Sequence, residues 1–167
     1  MPAGRALCLL LLALAASACG DDSAARECQQ PPNAKRQVEA CTQVIAADPK
    51  SSKAYNNRCN AYNELEKYEQ SLADCNAAIK LTPGNSSAYN NRGVAYEMKG
   101  ELDKALADYN KAISLNPKFA VAFANRGDVY AKKGEKEKAI AEYRQALAIE
   151  PGNDVALGGL KKLGARP

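Results

Sequence analysis

The side chains best suited to covalent chemistry in this chain are its six cysteines. A thiolate can exchange with a disulfide, most often from a Cys-x-x-Cys pair or beside a group that lowers its pKa. This sequence contains neither a Cys-x-x-Cys pair nor any histidine. The lack of histidine also removes the commonest general base and the commonest transition-metal ligand. We therefore expect a protein without catalysis, metal or cofactor, and thiol–disulfide exchange remains the one enzymatic alternative.

The first 18 residues differ from the rest of the chain. Arg5 precedes an apolar run over residues 6–16, and small residues continue to Ala18. This arrangement is typical of a secretory signal peptide. An apolar run of this length is too short for a transmembrane helix, which needs about 20 residues. The sequence therefore predicts an exported protein.

Cys19 follows those small residues directly, and the segment resembles the lipobox of bacterial lipoproteins. In a lipobox the cysteine is acylated and becomes the new N-terminus. The third residue before the cysteine is usually leucine, but here it is Ala16, and residues 16–18 would also suit ordinary signal peptidase. Export leaves five cysteines, which form two pairs only if one of them is otherwise engaged. We expect Cys19 to carry lipid such as palmitate, with ordinary signal cleavage as the alternative.

The overall composition is that of a folded protein, with 46% hydrophobic and 25% charged residues. The net charge is only +4. Acids and bases are interleaved, and no basic stripe is available to neutralise a phosphate backbone. Nucleic acid is therefore not an expected partner.

A 34-residue repeat organises most of the chain. The segment AYNNRCNAY recurs as AYNNRGVAY and then, loosened, as AFANRGDVY, which defines units at 52–85, 86–119 and 120–153. Positions 4, 8 and 11 of a unit share one face of a first helix, and positions 20, 24 and 27 share one face of a second. Proline at position 32 ends the second helix because it has no N–H to continue the hydrogen-bond ladder.

These units resemble the tetratricopeptide repeat family at each of the spacings that define it. The resemblance implies an all-α fold, a right-handed α-solenoid in which helical hairpins stack because one hairpin alone leaves an apolar face exposed. The residues that carry the match are Tyr55, Tyr89 and Phe123 at position 4, Cys59, Gly93 and Gly127 at position 8, Tyr62, Tyr96 and Tyr130 at position 11, Ser71, Ala105 and Ala139 at position 20, Cys75, Tyr109 and Tyr143 at position 24, and Ala78, Ala112 and Ala146 at position 27.

Both ends of the array are also recognisable. Residues 34–51 match the second helix of a partial N-terminal unit, and residues 19–33 are expected to form a tether and a degenerate first helix. Residues 154–167 are expected to form a capping helix and a tail, since solenoids need polar-faced caps for solubility. In that cap the residues expected to point inward are Leu157, Leu160 and Leu163, and those expected to point outward are Lys161 and Lys162.

In this family the first helices line a concave groove, into which positions 2, 5, 6, 9, 12 and 13 point. Position 6 is asparagine in all three units, as Asn57, Asn91 and Asn125. An amide both donates and accepts, so the resemblance implies a ladder that binds the backbone of an extended peptide. The alternative is that these asparagines are common in the repeat and simply solvated. The other groove candidates are Asn60, Lys53 and Asp128, followed by Glu64, Glu97, Met98 and Lys132.

Some members of the family bind a C-terminal carboxylate through cations at fixed groove positions. Asn60 and Asn91 match the asparagines of that clamp. Asn56, Val121 and Asn125 occupy positions where the clamp needs cations. We therefore do not expect this chain to bind chaperone tails in that way.

Position 7 is arginine and position 23 is acidic in every unit. Residues whose positions sum to about 31 lie at one level of an antiparallel hairpin, so these residues are expected to form ion pairs with a structural role. The pairs are Arg58 with Asp74, Arg92 with Asp108, and Arg126 with Glu142.

Two pairs of cysteines are expected to form disulfides within this fold. Cys59 and Cys75 replace the Gly and Tyr of the next units at positions 8 and 24, which face one another. Cys41 also lies at position 24, and Cys28 would face it if the turn near Pro31 is about three residues longer than usual. Export favours oxidation. Buried free thiols are the alternative.

The sequence predicts a non-enzymatic protein-interaction adaptor of the bacterial cell envelope, with other proteins or their peptide segments as partners. We expect it to be anchored in a membrane and to face the periplasm, or to be soluble in the periplasm or secreted. It resembles lipoproteins of this repeat class that assist outer-membrane, pilus or secretion-complex assembly, and nothing in the sequence selects among these tasks. A purely structural spacer and a thiol–disulfide active protein are the competing classes.

Overall fold

The computed structural model describes residues 23–31 and 33–167, and every regular element among them is an α-helix. The predicted leader and Cys19 lie outside these residues. Within the described chain no helix is long and apolar enough to cross a membrane. The helices are α1 (residues 23–29), α2 (Ala34–Ala47), α3 (Ser52–Glu64), α4 (Tyr68–Leu81), α5 (Ser86–Met98), α6 (Leu102–Leu115), α7 (Ala120–Lys132), α8 (Lys136–Ile149) and α9 (Asp154–Lys162).

Successive helices pair into antiparallel hairpins that stack along the chain. α3 packs on α4, α5 on α6 and α7 on α8, and each hairpin packs on the next through the contacts of α4 with α5 and α6 with α7. The first helices also contact one another, α3 with α5, α5 with α7, and α7 with α9. The predicted all-α solenoid is confirmed.

In the α3–α4, α5–α6 and α7–α8 hairpins the turn contains a residue with positive φ. Gly100 and Gly134 supply it with φ of 77° and 78°, and Glu66 adopts φ of 57° at the same position of the preceding hairpin. The residue that follows donates its N–H back into the first helix, as from Glu101 N to Tyr96 O at 2.9 Å. Glycine adopts this conformation without strain, whereas a side chain at Glu66 crowds the backbone.

Tyrosine rings that lie on glycines hold the two helices of a hairpin together. A Cβ atom placed on Gly93 would lie 2.6 Å from Cε1 of Tyr109, and one on Gly127 would lie 2.8 Å from Cε1 of Tyr143. Position 8 must therefore stay without a side chain wherever position 24 is tyrosine. In α3 and α4 a disulfide between Cys59 and Cys75 takes the place of this contact.

The structure also joins Cys28 of α1 to Cys41 of α2. Both cysteine pairs are those that the sequence predicts, and all four sulfur-bearing residues are buried. The two disulfides lie in the N-terminal half of the solenoid, whereas the later hairpins are closed by tyrosine.

Helix α9 forms the expected cap, but one of its predicted inward residues is placed differently. Leu160 is buried, whereas Leu157 is 38% exposed, so the prediction for Leu157 is wrong. The helix instead lays Gly159 on the ring of Tyr143, so closely that a Cβ atom placed on Gly159 would lie only 2.3 Å from Cζ of that ring. Leu157 stands where Phe123 of α7 packs against α8, and α9 has no such partner helix among the described residues.

Candidate peptide-binding groove

The first helices α3, α5, α7 and α9 lie side by side and form one continuous face of the solenoid. We call this surface the groove face, defined by positions 2, 5, 6, 9, 12 and 13 of these helices. It includes all the candidate groove residues of the sequence. Its middle is rich in asparagine, and its C-terminal end opens into a cavity.

The three asparagines at position 6 are half-buried and connect neighbouring helices. The side-chain N–H of Asn91 donates to Oδ1 of Asn56 at 3.1 Å, and that of Asn125 donates to Oδ1 of Asn90 at 3.0 Å. Asn57 donates in the same way to the backbone carbonyl of Cys28 at 3.1 Å. Each amide therefore links its own hairpin to the preceding one.

Each of these contacts uses one of the two N–H groups of a side-chain amide. The side-chain oxygens of Asn91 and Asn125 accept no hydrogen bond from the described residues. Oδ1 of Asn57 differs because it accepts a long hydrogen bond from Asn56 at 3.4 Å. Two of the three predicted groove asparagines thus retain a free carbonyl oxygen, which suits a backbone N–H of a ligand.

A second asparagine network, which the sequence did not predict, supports this face. Asn63 donates to the backbone carbonyl of Asn91 at 2.8 Å and accepts from the hydroxyl of Ser71 at 2.6 Å. Ser71 is fully buried where the later units have alanine. That serine was the one sequence signal of a buried partner at this position.

The remaining candidates divide into two groups. Asn60 donates to Glu64 within α3 at 2.8 Å, and Lys53 is exposed near the start of the same helix. Asp128 lies far along the groove face, on α7. Asn60 and Lys53 therefore do not belong to the same local site as Asp128.

Asp128 lines an open cavity of about 480 Å³ between α5, α7, α8 and α9, which we call the α9 cavity. Four of its residues were among the groove candidates of the sequence. The lining residues from α8 and α9 were not predicted, because they reach the cavity only through the position that the capping helix adopts. The lining residues are Glu97, Met98, Asp128, Ala131, Lys132, Tyr143, Gly159, Lys162 and Leu163.

Two carboxylates in the α9 cavity have different surroundings. The side chain of Glu97 is only 10% exposed, forms an ion pair with Lys132 at 2.8 Å and accepts from the hydroxyl of Tyr109 at 2.7 Å. Asp128 accepts from the hydroxyl of Tyr143 at 2.7 Å through Oδ1 alone. Burial raises the pKa of Asp128, and the nearby charge of Glu97 adds to this effect. The negative charge of Asp128 therefore has fewer direct partners than that of Glu97.

The arginines at position 7 lie away from this cavity and form the predicted ion pairs. Arg92 reaches both oxygens of Asp108 at 2.7 Å, and its remaining nitrogen donates to Asn76 of the preceding hairpin at 2.7 Å. Hydrogen bonding to Asp108 raises the pKa of Arg92. Each arginine therefore holds its own hairpin together and also binds the preceding one. The equivalent contacts are Arg58 with Asp74 and Thr42, and Arg126 with Glu142 and Asn110.

The described residues contain no group of His, Cys, Asp and Glu that could hold a metal ion.

Models of one repeat family match three consecutive parts of the sequence. A model described as TPR repeat matches residues 59–100, and two described as Tetratricopeptide repeat match residues 86–119 and 120–153. Together they span 59–153, which is more than half of the 167 residues. The chain belongs to the tetratricopeptide repeat (TPR) family. No curated protein matches the sequence significantly.

Solved TPR structures resemble this TPR chain over most of its described length. The Arabidopsis OM64 TPR domain has 27% sequence identity and a TM-score of 0.65, over 68% of this chain and 94% of that domain. The first TPR of Spaghetti (RPAP3), bound to the HSP90 peptide SRMEEVD, has 26% identity and a TM-score of 0.64, over 70% and 93%. The second TPR domain of human RPAP3, in complex with the HSP70 peptide SGPTIEEVD, has 28% identity and a TM-score of 0.61, over 67% and 93%.

The MamA protein shares the fold over a longer stretch. Its crystal structure has a TM-score of 0.69 and covers 87% of this chain and 79% of its own. At 23% identity this likeness concerns the fold alone.

Proposed function

We propose that this TPR protein is a non-enzymatic adaptor that binds extended peptide segments of other proteins along its groove face. The observation that carries the proposal is the continuity of that face, from the free amide oxygens of Asn91 and Asn125 to the α9 cavity. Side-chain oxygens that can accept from backbone N–H groups, followed by a cavity, suit an extended peptide that inserts one of its side chains into that cavity. Two of the similar structures hold peptides of other proteins, which supports the same role here.

The ligand is expected to differ from the peptides in those structures. Both peptides end in EEVD and are therefore acidic at the C-terminus. In this chain the groove positions that need cations for such an end carry Asn56, Val121 and Asn125. Val121 is 40% exposed and offers an apolar surface instead. A segment of another composition is the better partner.

A crosslinking experiment tests the adaptor proposal. A photoreactive residue at Met98, which is 54% exposed beside the cavity, is compared with the same probe at Ala107, which is exposed on α6. The proposal expects a defined segment of a partner to be captured from Met98 and not from Ala107. Equal capture from both sites, or no capture from Met98, would contradict it.

The asparagine ladder is then tested with a synthetic peptide of the captured segment. Replacing Asn91 and Asn125 by Ala removes two acceptors, each worth about 0.5–1.5 kcal/mol, so affinity should fall about 5- to 150-fold. Asn57→Ala is the matched control, because its oxygen is already engaged but its inter-hairpin bond is equivalent. Calorimetry gives the affinity and thermal melting the stability. An equal loss of affinity in the control would assign the ladder a structural role only.

We further propose that the protein works in the bacterial cell envelope, with Cys19 as its lipid anchor or, alternatively, as a soluble periplasmic or secreted protein. The support is the signal-like leader together with two disulfides, which persist in oxidising compartments. Assistance to outer-membrane, pilus or secretion-complex assembly would suit such a place. Cys19→Ser should abolish lipid labelling and move the protein to the soluble fraction. A parent protein without lipid label would remove the anchor from the proposal.

Thiol–disulfide exchange is the less favoured function. Attack on a disulfide needs an accessible sulfur, and the four cysteines of the described disulfides are at most 2% exposed. We assign these bonds to the stability of the N-terminal hairpins.

A further inference from the structure

The α9 cavity combines apolar walls with a polar base. Its volume of about 480 Å³ lies within the usual range for ligand pockets, about 300–1,000 Å³. Met98 exposes more than half of its surface at one side, and Leu163 lines another. An exposed large apolar side chain next to a cavity is a surface that a ligand can cover.

One carboxylate oxygen in this cavity is accessible to solvent and has no partner among the described residues. Oδ1 of Asp128 accepts from Tyr143, whereas Oδ2 accepts no hydrogen bond from the described residues. Glu97 is in the opposite situation, because Lys132 and Tyr109 engage its two oxygens. Burial raises the pKa of Asp128, and the charge of Glu97 adds to this effect, whereas the hydrogen bond from Tyr143 and the charges of Lys132 and Lys162 lower it. Burial outweighs these, so a further cation would stabilise the ionised form.

We propose that the α9 cavity receives a long cationic side chain, lysine or arginine, from the bound segment. The methylene stem packs on Met98 and Leu163, and the charged tip donates to Oδ2 of Asp128. Such side chains bury an apolar stem while they keep a charged end in a polar environment. A charge-assisted hydrogen bond then compensates the carboxylate.

Two lysines also line the cavity, and the charge of each lowers the pKa of Asp128. Lys132 is held by Glu97, and Lys162 is exposed on α9, without an ion pair to the described residues. This inference rests on the proposed adaptor function, and it names the chemistry of the partner: a segment with a basic residue, in contrast to the acidic peptide ends of the RPAP3 complexes.

Capped single amino acids test the cavity without any contribution from the asparagine ladder. The probes are the N-acetyl N-methylamide derivatives of lysine, norleucine and glutamate, which share a backbone and differ at the side-chain tip. NMR titration follows the methyl signal of Met98 and the side-chain carboxyl signal of Asp128. The lysine derivative should shift both signals in a saturable way and lower the pKa of Asp128. It should bind roughly tenfold more tightly than the norleucine derivative.

Two variants complete the test. Asp128→Asn keeps an acceptor for Tyr143 but removes the charge. In this variant the lysine and norleucine derivatives should bind about equally. Glu137→Gln, on α8 outside the cavity and the groove face, should leave that preference unchanged. Equal binding of lysine and norleucine to the parent protein, tighter binding of glutamate, or an unchanged preference in Asp128→Asn would overturn the inference. Those outcomes would contradict the cavity inference alone. The adaptor function is tested separately, by whether crosslinking from Met98 captures a partner segment.

Discussion

An exchange of side chains between hairpins tests how the solenoid is held together. The α3–α4 hairpin is closed by a disulfide between Cys59 and Cys75, whereas the α5–α6 hairpin is closed by the ring of Tyr109 on Gly93. If these two contacts are equivalent solutions to one packing problem, the double variant Cys59→Gly/Cys75→Tyr should fold without its disulfide. Either single change should be much worse than the double change.

The expected magnitudes follow from the contacts. Loss of a disulfide between residues 16 apart costs about 3 kcal/mol, and glycine within a helix costs about 1 kcal/mol. Cys59→Gly should therefore lose about 4 kcal/mol. Cys75→Tyr alone should lose about 4–6 kcal/mol, because the ring would collide with the retained Cβ and overpacking adds about 1–3 kcal/mol. The double variant recovers about 1.5–3 kcal/mol from burial of the ring, which leaves a net loss of about 1–2.5 kcal/mol.

Urea unfolding followed by circular dichroism measures these free energies, with the Cys28–Cys41 disulfide intact in every variant. The hydroxyl of the introduced tyrosine has a partner available, since Asn63 occupies the position of Glu97, which accepts from Tyr109. The reciprocal variant Gly93→Cys/Tyr109→Cys is the matched control, and non-reducing peptide mapping should find its new disulfide. A double variant that is as unstable as either single variant would refute the equivalence.

Three further predictions concern stability. Glu66→Gly should raise the free energy of unfolding by about 0.5–1 kcal/mol, because it relieves a positive φ, and Gly100→Ala should lower it in the same urea assay. Arg92→Met should lower the free energy of unfolding by about 3–5 kcal/mol, because it leaves the buried carboxylate of Asp108 unpaired. The double variant Arg92→Met/Asp108→Leu should restore most of that loss. A double variant as unstable as the single one would contradict this reasoning. The pKa of Asp128 is raised in the folded state, so that state binds the proton more tightly than the unfolded chain. The free energy of unfolding should therefore fall as the pH rises from about 4 through the raised pKa. Urea unfolding measured across that pH range should show this fall in the parent protein and not in Asp128→Asn.

Much of this fold is predictable from residues close in the sequence. Cys59 and Cys75 belong to one hairpin, as do Arg92 and Asp108, and each pair is 16 residues apart. Two helices of known period joined by a short turn fix which positions face one another. The repeat by itself therefore determines the hairpins, the Cys59–Cys75 disulfide and the ion pairs.

The contacts between neighbouring hairpins could be established only from the tertiary structure. The repeat placed Asn91 on the groove face, but the structure shows that its amide nitrogen is engaged by Asn56, 35 residues away. Only this contact establishes that one N–H of the amide is already engaged, whereas its oxygen and its second N–H remain. Helical period cannot supply this result, because it describes each helix about its own axis and says nothing about the angle between stacked hairpins.

The cap shows the same division between sequence and structure. The sequence predicted a capping helix within residues 154–167 from the spacing of apolar residues, and the structure places it at Asp154–Lys162. It did not determine how the helix is rotated, and the structure places Gly159 rather than Leu157 against Tyr143. That rotation also creates the α9 cavity. Close packing on a ring already in place decides the rotation, and such steric fit exists only once three helices have come together.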